Sequence, residues 1–248
     1  MITGAIRIRS LAMPPSALRV AVGLEEGPGG ATNVHGFTIP GCRSSGPTKE
    51  EALASFEGEL ASWLSFLAAN GLGVWSPGQD LEIQVDEWLL TDVAVAAGET
   101  DVCFEADRVT LAESELSRGV QLLGLLRGRL LSGIRGRRNA ELEARGESDL
   151  NVRIVLDELA RAQWWTLTRL GSSPLGRIPE EVVARLDTAM ALAVHQLTSL
   201  PSEARAGVIE LEGEEWTPRK VLRRLLWLEW EVGGTALRLL DLDREVGR

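Results

Sequence analysis

Histidine and cysteine, the side chains most often used as nitrogen and sulfur metal ligands, are scarce in this chain of 248 residues. It contains two histidines, His35 and His195, and two cysteines, Cys42 and Cys103. A zinc site built from four cysteines or from three histidines is therefore excluded within one chain. No nucleophile elbow, phosphate-binding glycine loop or histidine-based triad is recognisable.

The cysteine content and the N-terminal sequence allow a prediction of the cellular compartment. Two cysteines without an apolar run long enough for a signal peptide predict a cytoplasmic protein with reduced thiols. A Cys42–Cys103 disulfide is the alternative. No stretch of about 18 apolar residues occurs, so no membrane span is expected.

The charge is unevenly distributed. The formal net charge is −10, and residues 1–110 carry 6 basic and 15 acidic side chains, against 20 and 21 in residues 111–248. This balance argues against nucleic acid as a partner, because phosphate backbones are bound by basic surfaces. The change in charge predicts two domains, 1–108 and 109–248.

The first domain alternates strand-like segments with one helix. Thr48 and Glu51 form a capping box that opens the helix, and Asn70-Gly71 ends it. Strands are expected at 17–24, 33–39, 81–85 and 102–104. This order predicts an α+β domain in which one helix covers a small sheet.

Two adjacent segments, 35–42 (HGFTIPGC) and 46–53 (GPTKEEAL), resemble the HicB-like antitoxin domain. The resemblance covers about residues 16–90. It implies a degenerate RNase H-like sheet and a small toxin as partner. Many members of this family carry a DNA-binding tail, but no such element follows here, so operator binding is not expected.

The RNase H-like resemblance raises the question of a magnesium site. Such sites hold Mg²⁺ with several carboxylates, and Asp80, Glu82, Asp86 and Glu87 are clustered in the sequence. Alternation along the strand places Glu82 and Asp86 on its solvent face. We therefore expect a solvated face here, and a structural or surface role for His35.

The second half has four amphipathic segments with apolar residues at helical spacing. They cover 116–134, 151–170, the segment from Pro179 to Leu197, and the segment from Thr217 onward. Pro179 and Pro218 are expected at first helical positions. Four helices of this length predict an all-α four-helix bundle. The arginines 135, 137, 138 and 145 are expected to be solvated, with a nucleotide or RNA site as the alternative.

Segments 155–165 (VLDELARAQWW) and 213–231 (GEEWTPRKVLRRLLWLEWE) resemble the DinB-like superfamily of metal-binding bundles. The family implies one histidine on the second helix, a His-x-x-x-His pair on the last, and thiol-dependent transferase activity. Glu158, Leu228 and Val232 occupy those positions here. Leucine and valine offer no donor atom, and both lie on a continuous apolar face. The metal site is therefore predicted to be lost, and no cofactor is expected.

The residues around the lost site suggest a pocket of Glu158, Arg224, Trp165 and Trp227. If Glu158 points inward, it needs a partner, which Arg224 would supply; the alternative is exposure of Glu158 at the bundle mouth. Glu229 and Glu231 are expected off the packed face of the last helix. His195 is expected at the edge of the third helix.

Together these features favour a non-enzymatic binding or interaction protein, dimeric through its bundle faces. One alternative is a thiol S-transferase with a relocated or absent metal. It would have a pocket lined by Trp164, Trp165, Trp227 or Trp230 beside Glu158. Another is a HicB-type antitoxin whose acidic first domain binds a small basic RNA-cleaving toxin, since opposite fields favour encounter.

Overall fold

The computed structural model describes residues 5–8, 17–73, 80–144, 150–171 and 178–240. Over these residues it is a mixed α+β structure with a small sheet and seven α-helices. It divides into two compact units, Met1–Ala106 and Asp107–Arg248. The boundary predicted from the charge distribution, between residues 108 and 109, lies close to this division.

The first unit is built on a five-stranded sheet. Its strands are β1 (Ala5–Ile8), β2 (Leu18–Glu26), β3 (Thr32–Gly36), β4 (Arg43–Gly46) and β5 (Leu81–Leu90), in the spatial order β1-β5-β2-β3-β4. β2 and β5 are parallel, and every other neighbouring pair is antiparallel. A parallel pair needs a long crossover connection, and helix α1 (Lys49–Ala69) lies between β4 and β5 in the chain.

Helix α1 begins and ends where the sequence predicts. The Glu51 amide donates to Thr48 Oγ1 at 3.2 Å, and Gly71 follows the helix with a left-handed φ of +70°. The buried face of α1 contains Phe56, Leu60 and Trp63, each fully buried, and the helix packs on β3 and β4. The spacing of apolar residues at the helical period of 3.6 is sufficient to predict that these side chains lie in the core.

Two strand predictions for this unit need correction, and two strands, β1 and β4, are not predicted from the sequence. Residues 102–104 form no strand; they run as irregular chain, in which Phe104 is fully buried and lies edge-on to Phe37 with ring centroids 5.0 Å apart. The second predicted strand ends earlier, at Gly36. β4 was not predicted, because a four-residue RSSG segment has little of the β-branched character that marks strands.

The second unit contains four long helices. They are α3 (Glu113–Ile134), α5 (Val152–Thr168), α6 (Val182–Thr198) and α7 (Pro218–Leu239), with short helices α2 (Glu105–Arg108) and α4 (Asn139–Leu142). α7 packs on α3 and α5, and α5 packs on α6. A hairpin of β6 (Ile209–Leu211) and β7 (Glu214–Trp216), not predicted from the sequence, precedes α7.

Two of the predicted helix starts can be compared with their caps. Thr217 caps α7, its hydroxyl accepting from the Lys220 amide at 3.0 Å, with Pro218 at the first position as predicted. The prediction for Pro179 is wrong: α6 begins at Val182, and the Glu181 carboxylate caps it. The carboxylate accepts the backbone amides of Val183 and Ala184, which have no partner within the helix.

The core of the second unit joins these helices. Leu228 is buried in an apolar cluster with Leu130, Leu159 and Leu186, and Val232 packs against the same cluster. The expectation that positions 228 and 232 belong to the core is confirmed. Among the described helices, none is both long enough and apolar enough to cross a bilayer.

Candidate functional site

The three positions at which the DinB-like resemblance implies metal ligands do not form a donor set. Leu228 is 4% exposed and Val232 is half-buried against the core. Glu158 is exposed on α5. A divalent ion needs nitrogen, oxygen or sulfur donors, so these residues do not fit a metal. Nowhere in the described parts of the chain do three or more His, Cys, Asp or Glu side chains lie together in a metal-binding cluster.

The pocket expected around Glu158 is not assembled as predicted. Glu158 lies seven residues before Trp165, which places it about 10 Å away along the helix axis. The Arg224 guanidinium, expected to pair with Glu158, lies over the Trp165 ring instead, 4.8 Å from the ring centroid. Arg224 Nη1 is 3.8 Å from Glu214 Oε1. The alternative, exposure of Glu158, is the one observed. Trp227 packs at the core edge and donates from its indole nitrogen to Glu231.

A buried polar network lies inside the helical unit. Arg127 of α3, Gln163 of α5 and Glu229 of α7 are 4%, 1% and 3% exposed. Arg127 Nη2 and Gln163 Nε2 both donate to Glu229 Oε1, and Arg127 Nε donates to Glu229 Oε2 at 3.4 Å. Arg127 Nη2 also donates to Gln163 Oε1 at 2.9 Å. The prediction that Glu229 lies off the packed face is therefore wrong.

This network links three of the four long helices through one carboxylate. Both oxygens of Glu229 accept hydrogen bonds, so the buried negative charge is offset by a guanidinium in contact with it. A signal for Arg127 exists in the sequence: it lies four residues after Leu123 and three before Leu130, on the apolar face of α3. A charged residue on such a face needs a buried partner.

Two further ion pairs anchor the start of α7. Arg223 donates in bidentate fashion to Asp107, with Nε–Oδ1 at 3.0 Å and Nη2–Oδ2 at 2.7 Å. Lys220 Nζ donates to Glu214 Oε1 and to the Glu215 carbonyl, both at 2.8 Å. Arg223, Asp107 and Lys220 are all buried. These contacts fix the β6–β7 hairpin and Asp107 against the first turns of α7.

A concave surface on α5 combines indoles and guanidiniums. It encloses about 430 Å³ and is lined by Ala160, Arg161, Trp164, Trp165, Thr168, Arg169, Ile178 and Arg185. We call these eight residues the Trp–Arg groove. The Arg169 guanidinium lies 4.3 Å from the centre of the Trp165 ring. Of the four residues predicted for the pocket, Trp165 lines this groove and Arg224 contacts it through Trp165.

The first unit contains its own buried polar cluster, centred on Glu25. His35 Nε2 donates to Glu25 Oε2 at 3.0 Å, and Asn33 Nδ2 donates to the same oxygen at 2.9 Å. Arg43 Nη2 in turn donates to Asn33 Oδ1 at 2.6 Å. Burial by itself raises the pKa of Glu25, but the hydrogen bonds and charge of His35, together with Asn33, outweigh it and hold the pKa well below its usual range. His35 is a structural residue, one of the two roles expected for it.

The remaining candidates lie apart from these clusters. On β5, Leu81, Ile83 and Val85 are buried while Asp86 is exposed, as alternation predicts. The Glu87 carboxylate accepts a hydrogen bond from the Glu105 amide at 2.9 Å.

His195 is exposed on α6. Cys42 and Cys103 are both buried and are not joined in a disulfide.

Of the arginines expected to be solvated, Arg137 and Arg138 pair with Glu141 on the surface. Arg145 lies outside the described residues. Arg135 is exposed as well.

No family model matches the chain, and neither a curated protein nor a solved structure shows significant similarity to it. The assignment of function therefore rests on the geometry of the chain's own residues.

Proposed function

We propose that this protein is a non-enzymatic binding protein with a HicB-like first unit and a DinB-like four-helix bundle as its second. One observation carries the proposal: the positions of the family's paired histidines are held by Leu228 and Val232, which pack in the core. Because neither side chain has a donor atom, the metal chemistry of the family has no support in this bundle.

The buried carboxylate of Glu229 is also poorly suited to act as a catalytic base. Both oxygens of Glu229 are engaged by Arg127 and Gln163. A carboxylate held in this way is neither a free general base nor an open ligand, since a base must reach the proton that it abstracts. The network holds the helices together.

The concave surface favours binding over catalysis as well. Among the residues that line the Trp–Arg groove, the one hydroxyl belongs to Thr168. It donates to the Trp165 carbonyl at 2.7 Å. No histidine or carboxylate lines the groove to activate that hydroxyl. The groove offers contact area and positive charge, which are the means of binding.

The test is a metal and activity measurement on the full chain. The protein is incubated with Zn²⁺, Ni²⁺ or Mn²⁺, desalted, and its metal content measured by mass spectrometry. We expect far less than one equivalent of each metal. We also expect no reaction of low-molecular-weight thiols with an electrophile above the uncatalysed rate, with or without added metal.

A designed variant shows that the assay can detect a site. Leu228→His with Val232→His restores a His-x-x-x-His pair on α7, and we expect it to retain more zinc than the wild type if circular dichroism shows that it remains helical. Stoichiometric metal in the wild type that Glu158→Ala abolishes would contradict the proposal and favour the thiol-transferase alternative.

A further inference from the structure

We propose that the Trp–Arg groove binds a small organic anion that carries a flat aromatic ring. The inference rests on the proposed function and deepens it by naming the class of ligand. It is carried by the shape of the groove, by the charge of the residues that line it, and by the contacts those residues already make.

Helix α5 supplies most of the groove through two parallel rows of side chains. Residues three and four apart lie on one face of a helix. Arg161, Trp165 and Arg169 therefore form one row, and Ala160, Trp164 and Thr168 form the next. Trp165, at the centre of the first row, is 37% exposed despite its size. The ring has a guanidinium one turn before it and another one turn after it.

The lining of the groove is positive in a chain that is strongly negative. Three arginines and no aspartate or glutamate line it, whereas the whole chain carries a net charge of −10. Arg185 is fully engaged: it donates to the carbonyls of Pro179 and Glu180 and, at 2.9 Å, to Asp157 Oδ1. Arg185 is thus a fixed wall of the groove.

The other two guanidiniums differ in how they are held. Arg161 donates from Nε to the Asp157 carbonyl at 3.2 Å, and no carboxylate in the described chain pairs with its guanidinium. Arg169 Nη1 is 2.7 Å from Glu212 Oε2, and Arg169 Nε donates to Thr168 Oγ1 at 3.2 Å. The Arg169 side chain is 11% exposed, whereas that of Glu212 is 77% exposed. Because Glu212 is the solvent-exposed member of the pair, an incoming anion can compete with it for Arg169.

The apolar residues that line the groove favour a ligand with a small, flat aromatic ring. Trp164 contributes indole surface, and Ile178 is 46% exposed at the same groove. The Trp165 ring already has the guanidiniums of Arg169 and Arg224 over it. Aromatic rings stack on indoles and on guanidinium planes. A volume of about 430 Å³ lies within the range of small-molecule sites. The ligand is therefore a small molecule, with its ring on the Trp164 indole and its anionic group between Arg161 and Arg169.

The test uses three probes that share one ring. The full chain is titrated by calorimetry with 1-naphthoate, with 1-naphthyl phosphate and with 1-naphthylmethylammonium. We expect single-site binding of at least one anion, about tenfold or more tighter than the cation, because charge-assisted hydrogen bonds contribute about one decade of affinity each. The tighter anion identifies a carboxylate or a phosphate as the preferred head group.

Matched variants locate the site. We expect Arg161→Gln and Arg169→Gln each to weaken binding of that anion about tenfold, and Trp164→Leu to weaken it as well. Arg153→Gln, on the same helix but paired with Glu143 at 3.6 Å, and Trp230→Leu on α7 are the controls, and their affinities are expected to be unchanged. Circular dichroism confirms that each variant is folded.

Three results would overturn the inference: no binding of either anion at millimolar concentration, equal binding of the cation, or the same affinity in Arg161→Gln as in Arg153→Gln. These failures are separate from failure of the proposed function. Metal in the wild type would overturn that proposal while leaving anion binding in place, and a metal-free protein without anion binding would overturn the groove assignment alone.

Discussion

Arg127 of α3 and Glu229 of α7, 102 residues apart in the chain, form an ion pair inside the helical unit. Gln163 of α5 donates to the same carboxylate and accepts from the same guanidinium. The guanidinium compensates the buried charge of Glu229, while Arg127 Nη1 is buried with no hydrogen-bond partner.

Arg127→Met is expected to destabilise the protein by about 3–5 kcal/mol, since it leaves the buried Glu229 charge uncompensated. Adding Glu229→Leu to that variant should recover much of the loss, because no charge then remains buried. Urea unfolding followed by circular dichroism measures both. The control is Arg138→Gln, in an exposed pair with Glu141, which should cost less than about 1 kcal/mol. An Arg127→Met variant as stable as this control would show that the pair contributes little.

Glu25 is expected to make the first unit sensitive to acid. Its pKa is lowered in the folded state, so the folded protein binds fewer protons at this site than the unfolded chain does. The stability from Glu25 is therefore present above the unfolded value of 4.5 and is lost as the pH falls below it toward the lowered folded pKa. His35, Asn33, Thr100 and the amides of Asp101 and Val102 are groups that face this carboxylate.

Glu25→Gln tests this pH dependence. The variant should be less stable than the wild type at neutral pH, and the difference in the free energy of unfolding should shrink as the pH falls below 4.5. Glu50→Gln, with a side chain 78% exposed, serves as the control and should change little at any pH. A difference that stays constant down to strongly acidic pH would rule out Glu25 as the titrating group.

Two glycine substitutions of the same kind are expected to act in opposite directions. A Cβ added at Gly46 would lie 2.5 Å from the Ala52 backbone nitrogen, in the first turn of α1, whereas one added at Gly58 meets nothing within 4 Å. Gly46→Ala should therefore destabilise by about 1–3 kcal/mol. Gly58→Ala should stabilise by about 0.5–1 kcal/mol, because alanine favours the helix interior. Thermal unfolding of the two variants compares them directly, and a shift of the same sign in both would contradict the close approach at Gly46.

The thiols should react only after unfolding. Burial raises the pKa of Cys42 well above its usual range, and the Glu59 charge adds to the effect; Cys103 is also buried. Since the thiolate is the nucleophile, Ellman's reagent should label neither cysteine in the native protein and both in guanidinium chloride. Ser62→Cys on the exposed face of α1 should label at once in the native state. Native labelling of the wild type at a similar rate would show that the cysteines are accessible.

The sequence by itself determined the elements that depend on local order. Capping and apolar periodicity located α1, α7 and the core positions 228 and 232, because a helix start and a buried face are encoded within a few turns. The absence of donor atoms at these two positions needed no structure either. The strand β4 is harder to predict from the sequence. It is short, and it forms through pairing with β3, which is not a local interaction.

Only the tertiary structure decided which polar groups share an interior. Periodicity marked the apolar faces of α3, α5 and α7 but gave no means of matching Arg127 to Glu229 across 102 residues. It likewise left open whether Glu158 turned inward or outward, because the choice depends on how neighbouring helices pack. The Trp–Arg groove also depends on the tertiary structure. The helix period sets its two rows of side chains on α5, but Arg185 of α6 becomes its wall only because it pairs with Asp157 of α5.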